Sequence, residues 1–312
     1  MIVVCGEALI DLVPAAGNGL FLARPGGGPT NVAVGLGRLG VAVRLLARLS
    51  TDGFGQLLRA HLVGSHVDLT DAVEAGEPTT LAVVTLDASG DAVYTFYVDG
   101  CADGAWRAGD LPDALPAAAA LHVSGSLALA VPAMGDAVDA LLRRERPQRV
   151  ITFDPNPRPT LIRDEHAARD RLDHWLASAD LVKASEDDLA WMAPGTTAAG
   201  IARHWREGGA GLVVVTQGPH GAYALGADGP VQLPAHPVPV VDTVGAGDAF
   251  MAGLLTALHQ AGHLTRERLC ALDAADLRQC VRYALRAAAL TCARAGADPP
   301  WISELGPVRQ PT

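Results

Sequence analysis

From Leu121 onward, short apolar, β-branched runs alternate with longer alanine- and leucine-rich stretches whose apolar positions recur at helical spacing. Leu121 to Ser124, Val150 to Asp154, Leu181 to Lys183 and Leu212 to Thr216 have the length and composition of buried strands. The spans near Val131 to Arg144 and near Leu161 to Ala177 read as helices, and two or three more helices follow Gly245. Strand and helix in steady succession predict an α/β fold: a doubly wound, mainly parallel sheet flanked by helices, with ligands at the carboxyl ends of the strands. The N-terminal MIVVCGEALID reads as one more strand, because Glu7 and Asp11 interrupt its apolar run and no basic segment precedes it as in a signal peptide.

Two stretches break this rhythm. Leu12 to Arg24 and Thr79 to Val98 read as strand-turn-strand, the second turning at Asp87 to Asp91. Neither has a helix to cross back with. Together they predict a small antiparallel sheet standing over the strand ends as a lid, the alternative being an edge hairpin without function. One domain is expected over residues 1–312, with the lid formed by 12–24 and 79–98. GLGRLG, from Gly35 to Gly40, has dinucleotide-fingerprint spacing but closes a helical run from Thr30 to Leu39, with Gly40 as its cap, instead of opening one. A dinucleotide-binding reading of it is therefore rejected.

Composition narrows the picture. With 312 residues and 49% hydrophobic content the chain can bury a large core, and a formal charge of -10 opposes general affinity for nucleic acid or an anionic membrane. Ala114 to Gly135 carries no charge, yet Pro116, His122, Gly125 and Pro132 break it, so it reads as a buried strand between loops. Lys183 is the sole lysine, which excludes a Walker-type loop. Five scattered cysteines with no CxxC pair predict reduced thiols and a cytoplasmic location.

Candidate chemistry concentrates in VVDTVGAGDAFMAGLL, Val240 to Leu255. Gly245, Ala246 and Gly247 lack bulk, so their amides can approach an anion at the positive end of the helix that starts there. Asp248 follows in the first turn, placed to take a proton from a hydroxyl facing that cradle. An anion hole beside a base points to phosphoryl transfer to an alcohol. The bland reading is a loop entering a helix with a favourable first-turn acid. PGGGPTN, Pro25 to Asn31, frees the backbone just before another helix, either to grip a polyol through its amides and Asn31 or as a mere flexible turn. Asp11 ends the first apolar run, where it accepts hydroxyl hydrogen bonds or is simply a solvated acid.

Eight ordered blocks then carry a resemblance: GEALIDLV, PGGGPTNVAVGLGRLG, FYVDGCAD, DPNPRP, KASEDDL, VVTQGPHGA, DTVGAGDAF and TCARAGADPPW. They resemble the ribokinase-like (PfkB) carbohydrate kinase family, closest to its fructokinase branch. The resemblance implies that Asp248 is the catalytic base and that Gly245, Ala246 and Gly247 form the anion hole. It places Asp11, Gly27, Gly28 and Asn31 on the sugar and Tyr97 on a lid strand, with Arg158 reaching substrate or phosphate or forming a structural salt bridge. Ser185, Thr216, Gly218, His220 and Gly221 fall at the nucleotide, with Mg-ATP as donor and Asp188 near the magnesium through water. The Asp242 carboxylate and the carbonyls of Val244, Thr291 and Gly296 match a monovalent-cation site suited to potassium.

Three departures stand out. Ser185 and Asp188 replace the family's NxxE, the hydroxyl-bearing position near Pro300 is unmatched, and Cys101 takes a place usually held by threonine. The resulting expectation is an ATP-dependent kinase of a ketose, fructose first, paired through its lids. A 2-keto-3-deoxygluconate kinase of the same fold is the rival, weakened because Val98 after Tyr97 offers an acid sugar no cation. Low aromatic content, 4%, argues against a nucleoside acceptor. A non-catalytic sugar sensor would be expected to have lost the base or the glycine turn, and both are intact.

Overall fold

The computed structural model describes residues 1–15, 19–86 and 92–308. Its large sheet has nine strands in the order Gly229–Leu233, Ala222–Gly226, Leu212–Thr216, Leu181–Ser185, Val150–Asp154, Ala120–Ser124, Ile2–Cys5, Val43–Leu46 and Val67–Asp68. Every neighbouring pair is parallel except the two at the Gly229–Leu233 edge, where a hairpin runs antiparallel. Each parallel step needs a crossover, and the predicted helical spans supply it as Pro132–Glu145 and Glu165–Leu176. Side chains alternate across the sheet: Ile2 and Val4 join one buried cluster, Val3 and Cys5 the other. On the first face lie the helices Gly28–Arg38, Ala246–Gln260 and Ala274–Cys292; on the second lie Pro132–Glu145, Glu165–Leu176 and Ala198–Glu207. Burial on both faces explains why the central strands read as continuous apolar runs.

The small sheet has four strands, ordered Phe21–Gly26, Leu9–Pro14, Leu81–Leu86 and Ala92–Tyr97. It differs from expectation in two ways. MIVVCGEALID is not one strand: Ile2–Cys5 belongs to the large sheet and Leu9–Pro14 to the small one. The chain breaks at Gly6, where a Cβ would sit 2.1 Å from Pro29 Cγ, so only glycine lets the strand end press against the helix Gly28–Arg38. The sheet is also mixed, since Leu9–Pro14 pairs with Leu81–Leu86 in parallel while its outer pairs are antiparallel. The expected Asp87 to Asp91 turn lies outside the described residues.

GLGRLG occupies the end of the helix Gly28–Arg38, with Gly40 just beyond it at φ +79°. No helix among the described residues is long and apolar enough to cross a membrane.

Candidate active site

The carboxyl ends of the large sheet, the start of the helix Ala246–Gln260 and the inner face of the small sheet enclose a cavity of about 1020 Å³. Asp11, Gly27, Gly28, Asn31, Arg158, Ser185, Asp188, Thr216, Gly218, Gly221, Val244, Gly245, Ala246, Gly247 and Asp248 all line it. Residues more than two hundred positions apart thus meet where a doubly wound sheet places its ligands.

Gly245 opens the helix in the left-handed region, φ +75°, and a Cβ there would lie 2.5 Å from Ala297 Cβ. The Ala246 amide donates to the Thr243 carbonyl at 3.2 Å, so it is already engaged. Among the described residues no protein acceptor takes the amides of Gly245 or Gly247, which leaves these two facing the cavity at the positive end of the helix. Asp248 Oδ2 accepts from Asn31 Nδ2 at 2.8 Å, which fixes the carboxylate against the helix Gly28–Arg38. Desolvation raises the Asp248 pKa, against the Asn31 hydrogen bond and the charges of Lys183 and Arg158, which favour the ionised form.

The glycine loop approaches this carboxylate closely. A Cβ on Gly28 would fall 3.2 Å from Asn156 Nδ2 and 3.5 Å from both Asp248 Oδ1 and Ser124 Oγ. Any side chain there would fill the space beside the base. Asp11 lies on the small-sheet strand Leu9–Pro14 rather than at the end of the first strand, and a Cβ on Gly26 would lie 2.1 Å from its Oδ2. Its pKa is pushed up to about 7 by burial and by Asp248.

Lys183 is the residue that motif reading passed over. It is buried, pairs with Asp154 at 2.8 Å, and its Nζ lies 3.0 Å from where a Cβ on Gly247 would be. Burial opposes its charge, but the carboxylates of Asp154, Asp188 and Asp248 outweigh that and raise its pKa. A fixed ammonium therefore sits beside Gly247 in the same cavity as the two free amides, suited to the oxygens of a phosphoryl group. A lone lysine closing an apolar strand was the available signal, since a buried lysine needs partners.

Other expected residues fall elsewhere. Tyr97 is on the strand Ala92–Tyr97 as expected but is 56% exposed and does not line the cavity; Tyr94 and Phe96 do. Side chains two apart share a face, so the strand that turns Tyr94 and Phe96 inward turns Tyr97 out. These two rings stack at 6.1 Å and give the small sheet an aromatic underside, despite the scarcity of aromatics in the chain. His220 sits on the turn Gly218–His220 outside the lining, whereas its neighbours Gly218, Pro219 and Gly221 line the cavity. Arg158 makes no ion pair among the described residues; its guanidinium donates to the Asn156 side chain at 2.6 Å and to the Asn156 and Pro157 carbonyls. Asn156 adopts φ +37°, so this self-bonded turn aims both residues into the cavity.

Ser185 and Asp188 form a capping box: Ser185 Oγ accepts from the Asp188 amide at 3.0 Å and Asp188 Oδ2 from the Ser185 amide at 2.7 Å. Asp242, Val244, Thr291 and Gly296 lie behind the glycine turn, and of the four only Val244 lines the cavity. The Asp242 carboxylate accepts from the Gly296 amide at 2.7 Å and the Val244 amide at 3.0 Å, stapling the glycine turn to the C-terminal loop.

Comparison with known proteins agrees with this architecture. A fructokinase of Rhizobium leguminosarum bv. trifolii is 39% identical over 281 residues, covering 89% of this chain and 86% of that protein. The crystal structure of a Xylella fastidiosa fructokinase with bound ATP has a TM-score of 0.89 at 29% identity, covering 97% of this chain and 96% of the other. A Vibrio cholerae O395 fructokinase solved with fructose, ADP and calcium has a TM-score of 0.83 at 28% identity, covering 95% and 94%, and a double mutant of it was solved with fructose, ADP and potassium. The family model described as pfkB family carbohydrate kinase matches residues 1–304, and this chain belongs to that family.

Proposed function

We propose that this chain is an ATP-dependent sugar kinase that transfers the γ-phosphoryl group of ATP to the 6-hydroxyl of fructose. One observation carries the reading: the Asp248 carboxylate shares a cavity with the unengaged amides of Gly245 and Gly247 and with the Lys183 ammonium. A base is thereby brought next to a cradle for the charge that develops on a transferring phosphoryl group.

In this reading, Asn31 orients Asp248, and Gly27, Gly28 and Asp11 hold the sugar so that one hydroxyl faces the base. Asp248 takes the hydroxyl proton as the oxygen attacks in line, with no phosphoenzyme. The Gly245 and Gly247 amides and Lys183 stabilise the phosphoryl oxygens, while Thr216, Gly218 and Gly221 border the nucleotide. The small sheet acts as a lid that excludes water, the competing acceptor, with the rings of Tyr94 and Phe96 on its underside. The whole chain works as one kinase domain.

Asp188, a carboxylate on the cavity wall with one oxygen held by the Ser185 amide, fits a hydrated magnesium ion, which would neutralise charge on the ATP phosphates. Asp242 with the carbonyls of Val244, Thr291 and Gly296 offers hard oxygen ligands to potassium beneath the glycine turn. The exposed apolar rim of the small sheet supports a lid-to-lid homodimer. Val98 lies outside the cavity lining and does not bear on an acid sugar; the likeness to fructokinases is what favours fructose over 2-keto-3-deoxygluconate.

The test is ADP release from ATP against a panel of neutral ketoses, aldoses, acid sugars and nucleosides. Fructose is expected to give the highest kcat/KM, with fructose 6-phosphate as product. Preference for an acid sugar or a nucleoside would replace the acceptor, and sugar binding without ADP release would make the protein a sensor.

A further inference from the structure

Glu7 follows the first strand of the large sheet, is 1% exposed, and lines the same cavity as Asp11 and Asp248. Three contacts tie it to the sugar loop. Its Oε1 accepts from the Gly28 amide at 3.2 Å, its carbonyl accepts from the Thr30 hydroxyl at 2.9 Å, and a Cβ on Gly27 would lie 2.9 Å from that same carbonyl. Its other carboxyl oxygen, Oε2, is buried and meets no donor in hydrogen-bond geometry among the described residues, the Ser126 hydroxyl being near the carboxyl group without good alignment to it. A buried polar atom without a partner is costly unless a ligand satisfies it.

We propose that Glu7 binds the acceptor sugar as a neutral carboxylic acid, its Oε2 hydroxyl donating to a sugar oxygen while Oε1 holds the Gly28 amide. The proposal rests on the sugar-kinase reading and adds to it a residue that discriminates among acceptors. An Oε2 hydroxyl adds one directed donor beside the carboxylates of Asp11 and Asp248, so it selects for the position of one sugar oxygen rather than for hydroxyl groups in general.

The surroundings favour the neutral form. Burial raises the Glu7 pKa and the negative charge of Asp248 adds to this, while the Ser126 hydroxyl and the Arg158 guanidinium oppose it. Of the other titratable groups facing it, Cys5 lies on its own segment, Asp11 on the small sheet and Asp103 on the turn Ala102–Ala105. None of these three is a cation. Burial raises the Asp248 pKa as well, tempered by the Asn31 hydrogen bond and by Lys183, which favour its ionised form.

Steady-state kinetics with fructose and ATP on the wild type, Glu7→Gln and Glu7→Ala tests this. Glutamine keeps an acceptor for the Gly28 amide and an N–H donor at the Oε2 position. Its fructose KM is expected to stay within about threefold of wild type at neutral pH, while alanine raises it roughly tenfold or more with the ATP KM little changed. The wild-type kcat/KM for fructose should fall on the alkaline side as Glu7 ionises, and Glu7→Gln should lose that fall. Thermal melts of all three proteins separate a binding defect from misfolding. Glutamine as damaging as alanine, an alkaline fall that persists in Glu7→Gln, or a wild-type fructose KM in Glu7→Ala would each overturn the proposal. A wild type that phosphorylates no sugar would instead overturn the kinase reading itself.

Discussion

The proposed reaction turns on Asp248, whose pH behaviour follows from its surroundings. Its pKa is raised above the ordinary 3.8 by desolvation, and a base acts in its ionised form. Activity should therefore fall as pH drops through a limb placed above that of a free aspartate, a profile readable in kcat/KM for fructose. Lys183→Met, which removes the ammonium beside the free amides, is expected to lower kcat by roughly a hundredfold at saturating ATP, and a kcat within about twofold of wild type would remove Lys183 from the phosphoryl site. That Asp248, the glycine turn and the PGGGPTN loop meet in one cavity was anticipated from the sequence, because each is a short local pattern at the start of a helix. Lys183 was not, because its meaning comes from Asp154, Asp188 and Asp248, which only the fold brings to it. Tyr97 was misplaced for a simpler reason: a strand's facing is set by register, and the motif names the strand without naming the inward side.

At the scale of elements, the turn into Ala246–Gln260 demands glycine twice over, by its left-handed φ and by the nearness of Ala297. Gly245→Ala should cost about 1–2 kcal/mol in stability from the left-handed conformation alone, with a further loss of turnover as the amides shift; calorimetric melting and kcat measured together check both effects. The turn Ala102–Ala105 carries a different liability. Asp103 is fully buried, and its pKa is pushed up to about 8, chiefly by burial. The folded state thus holds a proton that the unfolded state releases, so Asp103 lowers stability as pH rises from its unfolded value near 3.8 toward 8. Asp103→Asn should flatten part of the decline in melting temperature between these limits, and an unchanged decline would show that Asp103 is ionised in the fold. Strand and helix spans were legible where apolar runs are long, and Val150–Asp154 and Leu212–Thr216 match to the residue. The break at Gly6 was hidden because both halves of MIVVCGEALID are apolar, and only the approach of Pro29 shows why the chain must leave one sheet for the other there.

For the whole molecule, the alternating pattern made the doubly wound sheet legible, and two helix-free stretches announced the second sheet. Its parallel pairing of Leu9–Pro14 with Leu81–Leu86 was not legible, because partner choice between distant strands leaves no local trace. The rim of that sheet exposes Leu20, Phe21, Leu22 and Val93, more apolar surface than a lid closing on its own cavity would use. If two lids pair through this rim, Leu22→Asp should convert a dimer into a monomer by sedimentation, whereas a wild type that is already monomeric would dismiss the pairing. The central claim, that Asp248 deprotonates a sugar hydroxyl beside the Gly245 and Gly247 amides, is tested most directly by single-turnover transfer from ATP to fructose in Asp248→Asn. Transfer is expected to slow by a factor on the order of 10²–10⁴ while ATP binding and folding persist. Transfer at close to the wild-type rate would contradict it.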